Sequence, residues 1–258
     1  MSEARSLSGR SVVAVFAHPD DEAIACGGTL ARLADEGARV TVVCASRGEL
    51  GSASDPALVS GGDLGRVRAA ELEASARALG VHEVRLLSHA DGCLRWSDAL
   101  AAEIHATIAE CRADAVITFD ADGLYWHGDH IGVHEHTTRA VAALGPKAPP
   151  LYYVSMGPGT MRAVVEAARA HGGAPDGEGL WGISPDAFGV EAPAPTVTVD
   201  VRATVHRKLA AIRCHRTQLG PASPFICLSD EDALRLLATE RFRRAPGAPT
   251  DDVLELLG

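Results

Sequence analysis

The sequence predicts an α/β protein of Rossmann-like architecture, a mostly parallel sheet flanked by helices. Two observations predict it. Short, valine-rich apolar runs alternate with amphipathic segments, the pattern of βαβ units. Two of the amphipathic segments stop at glycine, where helices end.

Residues 12–16 read as the first strand, and residues 24–34 as a helix with Ile24, Leu30 and Leu33 on its apolar side, ended by Gly37. Residues 39–45, carrying Val40, Val42 and Val43, form the second strand. A helix over 67–79 is ended by Gly80, and 84–87 form a short third strand. Residues 100–108 belong to a third helix, 115–119 to the fourth strand, 132–143 to another helix and 151–154 to the fifth strand. Residues 171–196 hold ten Gly or Pro, too many for regular structure, and are expected to form an active-site loop. A further strand over 196–201 and closing helices over 205–216 and 230–237 follow. Residues 245–258 read as a tail, with a Pro- and Gly-containing linker at 245–250. The expected strand order is 3-2-1-4-5, within a single domain spanning 1–258.

The chain has 258 residues, 47% of them hydrophobic and 22% charged, ample material for a core. A net charge of −10 without any Lys/Arg block argues against a non-specific grip on nucleic acid or an anionic membrane. Residues 1–10 lack the apolar stretch of a signal peptide, and no run reaches the length of a membrane span. The six cysteines form no Cys-x-x-Cys pair and mostly sit in apolar surroundings. Buried free thiols in a reducing, cytoplasmic compartment are the expectation.

The first strand runs directly into Ala-His-Pro-Asp-Asp-Glu at residues 17–22, a histidine and three acids where a core would gain nothing from them. In doubly wound sheets ligands bind beyond the carboxyl ends of strands, where strand order reverses. With the order above, strands 1 and 4 flank that point. The segment after the fourth strand, residues 120–130, carries Asp120, Asp122, Tyr125, His127, Asp129 and His130. A catalytic zinc takes three protein ligands and leaves a fourth position for water. His18, Asp21 and His130 supply such a set. Asp20 is placed to accept the proton of the activated water, His127 to donate to an oxyanion or a leaving amine, and Asp129 to orient an imidazole. One acid alone reads better as a helix cap; the two clusters together read as a site. His130 and His134 have zincin spacing, but Ile131 stands where a glutamate base belongs. His134 is therefore assigned to helix packing and His136 to the surface or to support of the site. His82, His89, His105, His171 and His206 lack acidic or Cys partners at ligand spacing and read as surface histidines.

These motifs resemble the PIG-L/LmbE-like family of zinc-dependent N-acetylglucosamine deacetylases, whose fingerprints are A-H-P-D-D-E and H-P-D-H. The first matches fully; in the second, Gly128 replaces proline within His127-Gly128-Asp129-His130. Residues 46–51 look like the family's T-x-G-E-x-G turn, residues 68–72 like its R-x-x-E-L helix, and Lys208 through Gln218 like its C-terminal K…A-x-x-x-H-x-[ST]-Q element. The resemblance implies His18, Asp21 and His130 as zinc ligands and Asp20 as general base. It implies His127 as acid or oxyanion stabiliser with Asp129 as its orienting carboxylate. It implies Tyr125 as a group polarising the substrate carbonyl and Arg68 as a substrate-binding arginine. Arg47, in the turn, is a further substrate-binding candidate against the alternative of a solvated polar turn. Family members have a Rossmann-like fold and are often homo-oligomers.

The function implied is removal of the N-acetyl group from a GlcNAc-type amino sugar or glycoconjugate, metal-bound water attacking the amide with Asp20 as base. An alternative is an amidase acting on a larger, mycothiol-like conjugate. A non-catalytic Rossmann-like nucleotide-binding module fares worse. No G-x-G-x-x-G follows the first strand, and the acids there would repel a pyrophosphate. A scaffold that has lost its activity is disfavoured because every ligand and base position is filled.

Overall fold

In the computed structural model the valine-rich runs line up as the centre of one sheet of seven strands. The structure describes residues 6–59, 61–173, 180, 182–190, 193–221, 223–247 and 253–257. In chain order the elements are β1 (Ser11–Phe16), α1 (Asp21–Asp35), β2 (Arg39–Cys44), α2 (Leu64–Leu79), β3 (Glu83–Leu86), α3 (Leu100–Cys111), β4 (Ala115–Phe119) and α4 (Gly123–Trp126). They continue with α5 (Gly128–Ala142), β5 (Leu151–Ser155), α6 (Thr160–Ala170), β6 (Val197–Asp200), α7 (Val205–Cys214), α8 (Pro224–Cys227), α9 (Asp230–Leu236) and β7 (Thr239–Arg244).

The sheet order is β3-β2-β1-β4-β5-β7-β6. The expected 3-2-1-4-5 core is present and parallel throughout, with Val12 opposite both Val40 of β2 and Ala115 of β4. β1, β4 and β5 are buried at every position, which requires cover on both faces. α1, α2 and α7 pack on one another, and α3 packs on α5. These two groups supply the cover.

The sheet continues past β5 through an unexpected strand. β7 pairs antiparallel with both β5 and β6. Its sequence, Thr-Glu-Arg-Phe-Arg-Arg, reads as polar surface, yet Glu240 and Phe242 are buried. The inward glutamate is why no strand was legible: the residue at its core-facing position is a charge. α6 is likewise absent from the sequence expectations, although its buried Met161, Val164, Val165 and Ala168 stand at helical spacing. α1 and α5 begin earlier than their apolar periodicity, because their first turns are made of polar site residues.

Of residues 171–196, numbers 174–179, 181, 191 and 192 lie outside the described residues. The described remainder holds a bridge between Leu180 and Ile183 and a 3-10 turn at Pro185–Ala187. Of the tail, residues 248–252 and 258 lie outside the described part. Val253, Leu254 and Leu257 are buried, and Arg32 Nη1 donates to the Leu257 carbonyl at 2.6 Å, so this segment docks on the body of the fold. All six cysteines are free, but only Cys26 and Cys44 are buried; Cys93 is exposed. The expectation of buried thiols therefore holds for two. No helix among the described residues is long and apolar enough to cross a membrane.

Glu240 explains a break in α1. Cys26 leaves helical geometry (φ −150°, ψ 28°). The Gly28 and Thr29 amides donate to Glu240 Oε1 and Oε2 at 3.0 and 2.7 Å. Lys208 Nζ meets Oε1 at 2.5 Å, and both partners are about as buried as the hydrophobic core, each 4% exposed. A carboxylate so desolvated is tolerable only with such partners. Breaking a buried ion pair from one side leaves an uncompensated charge, so Lys208→Met is expected to lower unfolding stability by about 3–5 kcal/mol. Urea titration is the check: the midpoint should fall without a change in slope.

Candidate active site

The parallel strands deliver their carboxyl ends to one rim, and a cleft of about 350 Å³ opens there. His18, Asp20 and Asp21 reach it from the end of β1 and the start of α1. Tyr125 and His127 reach it from the segment after β4, and Arg68 from α2. The expected convergence of the two His/Asp segments is therefore present. Asp129 and His130 lie buried just beneath the floor.

Asp21 joins the two segments. Its Oδ2 lies 3.5 Å from His18 Nδ1 and its Oδ1 lies 3.2 Å from His130 Nε2. The far nitrogens of both rings are already engaged. His130 Nδ1 is 3.0 Å from the Gly123 carbonyl, which can only accept, so that nitrogen carries the proton. The ring turns Nε2 towards a carboxylate oxygen, and Nε2 has no hydrogen-bond partner among the described residues. His18 repeats the pattern, its Nε2 lying 3.2 Å from Asp91 and 3.3 Å from Asp129. Two imidazoles tethered behind by a carbonyl or carboxylate, each turning its other nitrogen towards one carboxylate, are arranged as metal-ligating histidines are. Ring nitrogens of His18, His127 and His130 also lie within 4.8 Å of one another. Burial disfavours charge on His18, but Asp129, Asp21 and Asp91 outweigh it and raise the imidazole pKa well above its usual value. The same carboxylates favour a divalent cation, and this donor set fits one.

Asp20 is the N-cap of α1, yet its side chain makes no capping hydrogen bond. It is a non-glycine residue at φ 133°, a left-handed conformation that costs about 1–3 kcal/mol. Burial pushes its carboxyl up to about 6, against the opposing pull of Arg68. His127 accepts the Asp129 amide at Nδ1 (3.2 Å). Burial, reinforced by His130 and His18, lowers its pKa to about 4. It is thus neutral at pH 7, with its proton on Nε2. Tyr125, raised by burial, keeps its phenolic proton. Its ring lies 4.8 Å from that of Phe188, which belongs to the described part of residues 171–196 and lines the cleft with Ile183.

The family model for the PIG-L GlcNAc-PI de-N-acetylases matches residues 13–141. The chain belongs to the PIG-L family. A 1D-myo-inositol 2-acetamido-2-deoxy-alpha-D-glucopyranoside deacetylase of Thermobispora bispora is 32% identical, over 94% of this chain and 90% of its own. Among solved structures, the N,N'-diacetylchitobiose deacetylase of Pyrococcus horikoshii superposes with a TM-score of 0.64 at 26% identity, covering 92% of this chain and 84% of its own. GalB, a 4-carboxy-2-hydroxymuconate hydratase of Pseudomonas putida, reaches 0.65 at 19% identity over 95% of this chain and 99% of its own, a likeness of fold alone.

Within this PIG-L site, some residues take positions that the sequence did not indicate. The Asp129 carboxylate does not orient His127. It accepts from the Gly92 and Leu94 amides at 2.7 and 3.0 Å and faces His18; only its backbone touches His127. Arg47 is exposed and is not among the residues lining the cleft. Arg68 lines the cleft but directs its guanidinium to the Gly48 and Pro19 carbonyls (2.9 and 2.8 Å) and to Asp20 (3.3 Å). Asp120, at the carboxyl end of β4, pairs with Arg243 rather than lining the cleft. His134 packs as expected, Nδ1 on the Phe119 carbonyl at 2.9 Å. His136 is buried, not superficial, and bonds the Arg95 carbonyl at 3.2 Å. His89, read as superficial, is half-buried against Ser97 (2.8 Å).

Asp91 is the residue sequence reasoning missed. It follows β3 in an ordinary-looking Ala-Asp-Gly turn, lines the cleft and accepts the Leu50 amide at 2.8 Å. Burial opposes its charge, but His18 and that amide hold its carboxyl down at about 2. The turn carrying Gly92 and Leu94 rests on α5, where a Cβ on Gly132 would stand 2.6 Å from the Arg95 backbone. Gly132→Ala must push that turn away from Asp129. It is expected to destabilise the fold by about 1–3 kcal/mol and to weaken metal retention, which thermal melts with and without a chelator measure.

Proposed function

We propose that this chain is a zinc-dependent N-deacetylase, a single domain over residues 1–258. It hydrolyses the acetamide of a GlcNAc-type amino sugar, with the inositol-linked conjugate of its relatives as the first substrate to test. One observation carries the reading: His18 and His130 each turn one ring nitrogen to an oxygen of Asp21 while their other nitrogens are held from behind. His18, Asp21 and His130 would hold the metal, which would supply Lewis acidity to the amide carbonyl and to the attacking water.

The protein's own groups divide the rest of the work. Asp20, with a pKa of about 6, is ionised at neutral pH yet basic enough to take the proton from water as its oxygen bonds to the acetyl carbon. His127, neutral and protonated on Nε2, donates to the oxyanion as charge develops. Tyr125, fully protonated and lining the same cleft, offers a second donor. The C–N bond then breaks, the proton taken by Asp20 passes to the departing amine, and acetate and a free amino sugar leave. Relatives named as deacetylases favour this over an amidase of larger conjugates. The six free cysteines support a reducing, cytoplasmic setting.

Asp20→Asn is expected to lower kcat by about 100-fold or more with metal still bound. His130→Ala is expected to lose the metal itself. Acetate release from N-acetylglucosaminyl-inositol, paired with elemental analysis, measures both. Near-wild-type turnover of metal-replete Asp20→Asn would remove the base assignment.

A further inference from the structure

The neighbour of the ligand Asp21 on its other side, Glu22, is 1% exposed and enters neither the cleft nor the ligand set. Its carboxylate accepts three hydrogen bonds. Ser75 Oγ of α2 donates to Oε1 at 2.5 Å, and His215, just beyond α7, places Nε2 2.8 Å from the same oxygen. The third donor is the backbone amide of Asp20, 3.1 Å from Oε2. A glutamate that reaches back to an N-cap amide is ordinarily an exposed capping device that needs no support. Here it is desolvated, and two further buried side chains, Ser75 at 0% and His215 at 1% exposure, are committed to it. A buried charge with dedicated partners is a costly way to cap a helix. What it touches is the amide of a residue at φ 133° whose carboxylate lines the cleft. From the other side Arg68 grips the Pro19 carbonyl and the Asp20 carboxylate. The strained peptide is thus clamped at both ends.

We propose that Glu22, held by Ser75 and His215, is a positioning residue for Asp20, fixing its backbone in the left-handed conformation that aims its carboxylate into the cleft. The inference rests on the reading of Asp20 as base. Through it the packing of α1, α2 and α7 is transmitted to the reacting groups.

The test is a double-mutant cycle on the metal-loaded, full-length enzyme, reading acetate release from N-acetylglucosaminyl-inositol. It is joined by elemental analysis and by hydrogen exchange at the Asp20 amide. Glu22→Ala is expected to lower kcat by roughly 10- to 100-fold, the range set by small misplacement of a catalytic group, with KM within about 2-fold and metal content unchanged. Exchange at the Asp20 amide should rise by about 10-fold or more. Glu22→Gln, whose amide oxygen still accepts that N–H, should restore part of kcat. In the Asp20→Asn background, Glu22→Ala should add no further loss, because its effect runs through the base. A multiplicative loss in the double variant, or an unchanged kcat in Glu22→Ala, overturns the inference while leaving Asp20 as base intact. Near-wild-type activity of Asp20→Asn overturns the base assignment and the inference with it. Should Glu22→Ala fail to fold, Ser75→Ala removes one donor from the same carboxylate, and the same non-additivity with Asp20→Asn decides.

Discussion

The site depends on one carboxylate. Asp21 stands at the first position of α1 and holds an oxygen towards each of two histidines that come from opposite sides of the β1–β4 junction. Its Oδ2 also accepts the His18 amide at 2.8 Å, so the turn between strand and helix closes on the same side chain. Burial would raise an isolated aspartate's pKa; His130 above all, then His18, holds this one well below the usual range. It is charged because the histidines are there, and they lie where parallel pairing of β1 with β4 puts them. Sheet topology and site electrostatics are here one constraint.

That constraint spreads outwards as a demand for positive charge and hydrogen-bond donors. Asp20, Asp21, Asp91 and Asp129 crowd around His18 and Arg68. Asp129 is satisfied by two backbone amides, Asp91 by one, and Asp20 by Arg68. Asp21 alone sets its two oxygens against two imidazole rings, an arrangement that a bound cation would complete. The second buried acid–base cluster, Glu240 with Lys208, has its full complement of donors and needs no ligand. The contrast separates the two buried charges: Glu240 is matched by a fixed cation, whereas the one at the strand ends faces imidazoles that can serve a metal.

What the sequence made legible follows from range. Strands β1 to β5 announce themselves through runs of valine, and the fingerprint at residues 17–22 is contiguous, so both could be read locally. Asp91 could not, because a single acid in a turn after β3 has no local signature; only the pairing of β2 with β3 brings it beside His18. Glu240 was hidden for the same reason and hid β7 with it. Asp129 holds an imidazole, but that of His18 rather than of His127 two residues before it, because its side chain turns to the Gly92 and Leu94 amides and to His18. Arg47 and Arg68 show the converse: alike in charge and both substrate-binding candidates from sequence, one ends in solvent and the other 4% exposed among carbonyls.

The fold is shared with a hydratase at 19% identity, so the architecture alone does not choose the chemistry. The choice is made where Asp20 and Asp21, adjacent in sequence, meet opposite requirements. In the proposed reaction one lies against two imidazoles, and the other faces open cleft with a pKa high enough to accept a proton. A regular helical start would give both carboxylates the same helix-dipole environment and similar acidity. The left-handed backbone at Asp20 takes it out of that register, leaves its side chain without a capping bond and exposes it to the desolvation that raises its pKa. Asp21, one residue on, enters the helix and is held ionised by its histidines. A strain of about 1–3 kcal/mol at one peptide thus gives two identical side chains the different environments that the proposed roles of base and ligand require, and the contacts from Arg68 and Glu22 hold that peptide.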